Sequence, residues 1–319
     1  MHRCYSAALF LLCVTALSSC HKDLSGPVVY FPGYDPTGLH ALMAPLRSSP
    51  QEFSVTAGTY SSIVGAAGTE LRFYPHSFKN ADGSMVTGGK VDISLQEMYT
   101  AGEMISNSAS TLYGGSPLIS AGQIHIVASQ NGQILDANKY GIRFLQPDSS
   151  RQPMNLYTGG RNKPDSVVTW VETLGTGVNG TTLDSLQNNH YYRFDSCTKF
   201  NWINCDYFSN TPGARTNLTA SLPNTTFNFS NTYVWIVFPT LHSIGYLNNY
   251  DDRQGSAFSL LSNYFIPVGI KFHVALISNN DGTWYYAEQK DLTAIQGHTL
   301  SLTPAKKSVA DIKEALRNL

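Results

Sequence analysis

Two short stretches combine aromatic rings with polar side chains: Trp202 with Asn204 and Asp206, and Trp284 with Tyr285 and Tyr286. An indole or phenol face stacks on a pyranose ring while Asn and Asp side chains take its hydroxyls, so these residues point to sugar binding. Core packing is the competing reading. Alternate side chains of a strand face opposite ways, so at most two of Trp284, Tyr285 and Tyr286 share a surface. Paired carboxylates would hydrolyse a glycosidic bond, but their pairing is spatial rather than sequential. Glu97, Glu103, Asp206 and Asp281 each have an ordinary role open to them: Glu97 ends a strand, Asp281 belongs to a turn, and Asp206 satisfies backbone donors beside Trp202. There is no Gly-x-Ser-x-Gly, no phosphate-cradling loop and no His-Glu-x-x-His, and the nine histidines are scattered. The chain therefore reads as a non-enzyme that calls for no cofactor and no metal.

A different chemistry is written at the N-terminus. After Met1-His2-Arg3 the chain is apolar from Cys4 to Ala16, a run with the length of a signal-peptide core and too short to span a bilayer. It ends in Leu17-Ser18-Ser19-Cys20, which resembles the lipobox of bacterial lipoproteins. Only a thiol takes a diacylglyceryl group as a thioether, so the pattern predicts residues 1–19 as signal peptide and Cys20 as the lipidated first residue of the mature chain. Each buried acyl methylene contributes about 0.8 kcal/mol, so two or three chains give a durable anchor. The most apolar later stretch, 258–277, is broken by Asn263, Pro267, Gly269, Lys271 and His273, which leaves the lipid as the anchor. Residue 21 is His and not the Asp that retains such proteins in the inner membrane, so the outer membrane is the expected location.

The formal net charge is −1, and charged residues make up only 13% of the chain, which leaves no electrostatic footprint for nucleic acid. Ser, Thr, Asn, Gly and Tyr dominate instead, as in extracytoplasmic β proteins. Apart from Cys4, Cys13 and Cys20, the cysteines are Cys197 and Cys205. On one straight strand they would lie about 26 Å apart at roughly 3.3 Å per residue, but a tight hairpin around Phe200-Asn201 would allow a disulfide, so both states stay open.

Positioning these residues falls to strands. Residues 20–50 carry Pro27, Pro32, Pro36, Pro45 and Pro50 and read as a tether. Lys90 to Gln96 alternates, with Val91, Ile93 and Leu95 on one face; Asp82-Gly83 and Asn131-Gly132 are hairpin signals; a Gly- and Ser-rich crossover runs from Tyr99 to Pro117. Many short strands at this spacing predict an all-β protein of two antiparallel β-sandwich modules in tandem.

The segments Gly68-Thr69-Glu70-Leu71-Arg72-Phe73, Asp82-Gly83, Val91-Asp92-Ile93-Ser94-Leu95-Gln96-Glu97 and Leu118-Ile119-Ser120-Ala121-Gly122 resemble the N-terminal module of Bacteroidetes surface lipoproteins, itself similar to the ZU5 sandwich. The resemblance implies a ZU5-like sandwich over 51–147. His76-Ser77-Phe78 is not the His-Phe-Ser order at which some ZU5 domains cleave themselves, so no self-cleavage is implied. A loop-rich connector is expected over 148–190. It holds Asp165-Ser166-Val167 and Asp184-Ser185-Leu186, which resemble the O-glycosylation acceptor of Bacteroidetes envelope proteins and make Ser166 and Ser185 candidate acceptors. Phe200-Asn201-Trp202-Ile203-Asn204-Cys205-Asp206 resembles a segment that follows the ZU5-like module in the same lipoproteins. Residues 191–319 are expected to form the second sandwich, with a hairpin across Asn279 to Gly282. A short C-terminal helix closes it, capped by Ser308 and Asp311, with Val309, Ile312, Leu316 and Leu319 on one face. The functional expectation is a lipid-anchored envelope protein with a non-catalytic binding or structural role, whose partners are the membrane and either a glycan or another envelope protein.

Overall fold

In the computed structural model, residues 39–319 are described apart from 115, 146–153, 162–166, 173–181, 187–188, 209–212, 254 and 261–263. The expected signal peptide, Cys20, most of the expected tether and Ser166 lie outside the described residues. Two turns show how the sequence sets strand register. Asn131-Gly132 and Asp281-Gly282 are two-residue loops with positive φ at both positions (51° and 77°, 49° and 81°). They join Ser116–Gln130 to Gln133–Ala137 and Lys271–Asn280 to Thr283–Thr293. A loop of this kind matches the right-handed strand twist and needs residues that tolerate the left-handed region.

Strand Lys90–Met98 sits between Gln51–Thr56 and Ser116–Gln130, both antiparallel to it. Its Val91, Ile93 and Leu95 are fully buried on one face, as the alternation predicted. The sheet continues from Ser116–Gln130 through Asn201–Phe208 and Asn155–Gly160 to Thr169–Glu172. Facing it across the first core is a second sheet in the order Thr182–Leu186, Asn189–Cys197, Tyr140–Leu145, Glu70–Phe73, Ser61–Val64. The first sandwich thus runs to Phe208 and does not end at 147, and segments of the expected connector are strands in its sheets. The sequence concealed this because Asn155–Gly160 is short and finds its partner some 46 residues later, at Asn201–Phe208.

The second sandwich has one sheet ordered Ser243–Tyr246, Thr232–Phe238, Lys271–Asn280, Thr283–Thr293, Ala305–Lys306. The other is ordered Asn249–Asp251, Ser256–Ser259, Leu218–Leu222, His298–Ser301. The last two strands of that sheet pair in parallel, an exception to the antiparallel expectation. A separate core fills this sandwich, with Phe238, Phe258 and Phe272 at its centre.

A third apolar layer joins the two. Strand Thr232–Phe238 is buried on both faces: Val234, Ile236 and Phe238 point into the second core, Tyr233, Trp235 and Val237 into this interlayer. Met98, Leu118, Tyr157, Trp170 and Trp202 meet them from the first sandwich. Met43 and Leu46 also insert here, so the end of the expected tether, with its helical turns Leu39–Leu42 and Ala44–Leu46, is docked structure. Buried hydrogen bonds cross the layer at Thr111: its N–H donates to Ile244 O (2.9 Å), and its Oγ1 accepts from Ile244 N (2.7 Å) and contacts Ser243 Oγ.

The C-terminal helix, Val309–Arg317, has the Ser308–Asp311 capping box and buries Ile312 and Leu316 in the interlayer, as its spacing predicted. It crosses a helix within the expected crossover, Ala101–Ser106, capped by Thr100 and Glu103. The crossing depends on Gly102, where a Cβ would lie 2.2 Å from Leu316 O. Gly102→Ala therefore forces the C-terminal helix outward and destabilises the protein by about 1–3 kcal/mol, the usual cost of overpacking. Urea denaturation together with limited proteolysis at the C-terminus measures this; an unchanged midpoint and unchanged cleavage would contradict the close crossing.

Candidate functional site

Where the interlayer ends, the face of the first sandwich opens into a cleft of about 610 Å³. Cross-strand register builds its floor. Trp202 lies opposite His125, and their rings sit 4.6 Å apart, tilted by 34°. Asn201, at φ 80° on entry to the strand, holds His125 Nε2 through its Oδ1 at 2.9 Å. Arg161 follows directly after Asn155–Gly160, whose Gly159 pairs with Trp202, and its guanidinium lies 4.9 Å from the centre of the Trp202 ring. Arg161 also donates to Asn107 O (2.6 Å) and Ser108 O (3.4 Å), tying the cleft wall to the end of the Ala101–Ser106 helix. The opposite wall comes from the docked N-terminal segment, where Arg47 donates to His40 O.

Burial, then the charges of Arg161 and Arg47, hold His40 down to about 3. His125 is lowered by burial and by Arg161, against the raising effect of its bond to Asn201. Both imidazoles are neutral at neutral pH. Among the described residues lining the cleft, the charged side chains are Arg47 and Arg161.

Only Trp202 of the sequence-predicted cluster reaches this site, and it is 8% exposed, with His125 and Arg161 against its ring. Asn204 and Asp206 continue inward on the same strand face and are fully buried. Asp206 is held by the side chains of Asn204 and Ser120 and not by backbone donors, and burial pushes its carboxyl well up. Trp284 and Tyr285 do not join them. Trp284 packs on the interlayer, while Tyr285 faces the second core, its ring 5.3 Å from Phe227. The two stretches therefore do not form one exposed aromatic platform.

The remaining candidates serve the fold. Glu97 accepts from Gln51 Nε2 (2.8 Å), Ala67 N (2.9 Å) and Thr69 N (2.9 Å), and Glu103 accepts from Tyr99 N and Thr100 N. Cys197 and Cys205 are free, buried thiols, both pushed up by burial. The hairpin that a disulfide needed is absent: at residues 198–200 the chain crosses from one sheet to the other, with Tyr140 Oη donating to Lys199 O and Phe200 packed against Phe73, Phe78 and Tyr140. Ser185 lies in the edge strand Thr182–Leu186, paired with His190, and not in a loop.

His40, Arg47, His125, Arg161 and Asn201 carried no warning in the sequence. Arg47 sits in the expected tether and Arg161 in the expected connector, while His125 and Asn201 meet only through strand register. Among the described residues no group of three or more His, Cys, Asp or Glu is placed to hold a metal ion, and no helix is long and apolar enough to cross a membrane.

No protein-family model matches the chain, and no curated protein matches it. Fold and site define an all-β protein of two sandwiches fused through an apolar layer, with a polar cleft at the edge of that layer.

Proposed function

We propose that this chain is a lipid-anchored protein of the bacterial envelope, held at the outer membrane through Cys20, that binds a small polar ligand without transforming it. The observation that carries the binding role is the cleft at Trp202, whose volume of about 610 Å³ lies in the usual range for small-molecule sites. Its walls are fixed by hydrogen bonds from Arg161 and Arg47 to backbone carbonyls, so the site is formed before a ligand arrives. The anchoring role is supported by Leu17-Ser18-Ser19-Cys20 after a short apolar run, and by the likeness of the first module to that of Bacteroidetes surface lipoproteins. A carbohydrate ligand is the form of this reading that the polar lining favours; an open stacking platform at Trp202 is not part of it.

Two experiments test the two roles. Cys20→Ala leaves the protein unprocessed or soluble when cells are fractionated, and a variant still processed and membrane-bound would refute lipid anchoring. Trp202→Phe, which keeps a ring in the interlayer but removes the indole beneath Arg161, weakens ligand capture on a glycan array while its urea midpoint reports the fold separately; unchanged capture would remove the cleft from the proposal.

A further inference from the structure

Building on the proposed binding role, we infer that the ligand is a linear oligosaccharide, held partly in the Trp202 cleft and partly in a second cavity on the same face of the first sandwich. The second cavity, of about 590 Å³, is lined by Lys79, Val127, Ile134 and Asp136 and shares His125 and Asn201 with the first. Register places both on one surface. Trp202 and Gln96 lie opposite His125 on the two strands that flank it. Val127 comes two residues further along the His125 strand, and alternation puts it on the same face. Ser129 lies opposite Ile134 across the next hairpin, and Asp136 lies opposite Lys79, so these side chains continue the face beyond Val127. Ile124, Ile126 and Ala128 point the other way, into the first core.

Size makes the ligand a chain. Each cavity alone has the volume of a small-molecule site, but together they exceed the upper end of that range, about 1,000 Å³. The lining chemistry makes it a sugar. His125 Nε2 is bonded to Asn201 Oδ1 where the cavities meet, so the neutral ring keeps Nδ1 as an acceptor and Asn201 keeps its amide N–H groups as donors. A hydroxyl both donates and accepts, and so uses both. Beyond this junction Ile134, 64% exposed, shares the second cavity with the polar ends of Lys79, Asp136 and Thr198. An apolar surface among donors and acceptors matches a pyranose, whose C–H face is rimmed by hydroxyls. An extended peptide would instead be held by pairing with a free strand edge, and Ser116–Gln130 already has partners on both edges where it floors the two cavities.

The test is isothermal titration of the full-length chain in detergent with cello-, xylo- and malto-oligosaccharides of two to six units. In a series that binds, the hexasaccharide binds at least about tenfold more tightly than the disaccharide, because covering one aliphatic side chain such as Ile134 already gives about that factor. Ile134→Ala removes this gain and leaves the affinity for the disaccharide unchanged. The side chain is exposed, so the substitution spares the fold, and disaccharide binding checks that it has. Equal affinity at every length overturns the chain and leaves the binding role of the Trp202 cleft standing. A gain with length that Ile134→Ala does not reduce also overturns the inference, since a longer ligand then only offers more registers in one cleft. If no series binds at millimolar concentration, the inference and the carbohydrate reading fail together.

Discussion

Replacing Trp235 with Ala lowers stability by about 3–5 kcal/mol, the range for removing a large aromatic side chain from a core, and unfolds both sandwiches in one transition. Trp235 is fully buried in the interlayer, on a strand whose other face fills the second core. Its ring packs on Tyr233 at 5.4 Å and on Tyr246 at 5.8 Å. The cavity left by Ala opens where Met98, Leu118, Tyr157 and Trp202 of the first sandwich meet the second, so both halves lose contacts together. Trp235→Phe costs less, because it keeps an aromatic ring and its indole N–H has no acceptor among the described residues. Circular dichroism and tryptophan fluorescence during urea denaturation measure this. Two separated transitions in the parent protein would show that the sandwiches fold independently and that the interlayer does not couple them.

Asp206→Asn makes stability less dependent on pH and higher at neutrality. Burial raises the Asp206 carboxyl well above its ordinary value, opposed only in part by hydrogen bonds from Ser120 and Asn204. The unfolded carboxyl titrates near 3.9. A group raised in the folded state contributes its full stability below the unfolded value and loses it as pH climbs toward the folded one. Between about pH 4 and the folded value, the parent therefore loses roughly 1.4 kcal/mol per pH unit relative to a variant with no proton to lose. Asn preserves the shape and accepts or donates within the same site. Urea midpoints of parent and variant, compared from pH 4 to pH 7, supply the test; parallel curves would show that Asp206 does not titrate in this environment. The effect lies in the packing of the interlayer, since Asp206 is buried beyond the reach of a ligand in the cleft.

Local patterns in the sequence determined much of this protein. The alternation of Val91, Ile93 and Leu95 assigned a strand and its buried face; Asn131-Gly132 and Asp281-Gly282 placed two hairpins; Ser308 and Asp311 marked the start of the last helix. Each of these depends on neighbours within a few residues, so composition and period carry the information. The Thr100–Glu103 capping box is equally local, but the Gly and Ser residues around it carry the signature of a crossover and mask the helix.

Only the tertiary structure decided which strands share a sheet and which polar groups share a cleft. Asn155–Gly160 and Asn201–Phe208 are partners across intervening strands, and this pairing moved the end of the first sandwich to Phe208. The same pairing sends Asn204 and Asp206 inward while leaving Trp202 at the rim, a difference that one strand's alternation does not contain because all three share a face. Which part of that face is covered depends on the second sandwich, the helices and the residues around Met43 that dock on it. Arg47, His125 and Arg161 lie 36 to 114 positions apart in the chain and meet because long-range strand register and interlayer packing close over different parts of one sheet. Such register is set by contacts between distant segments, which no window of sequence displays.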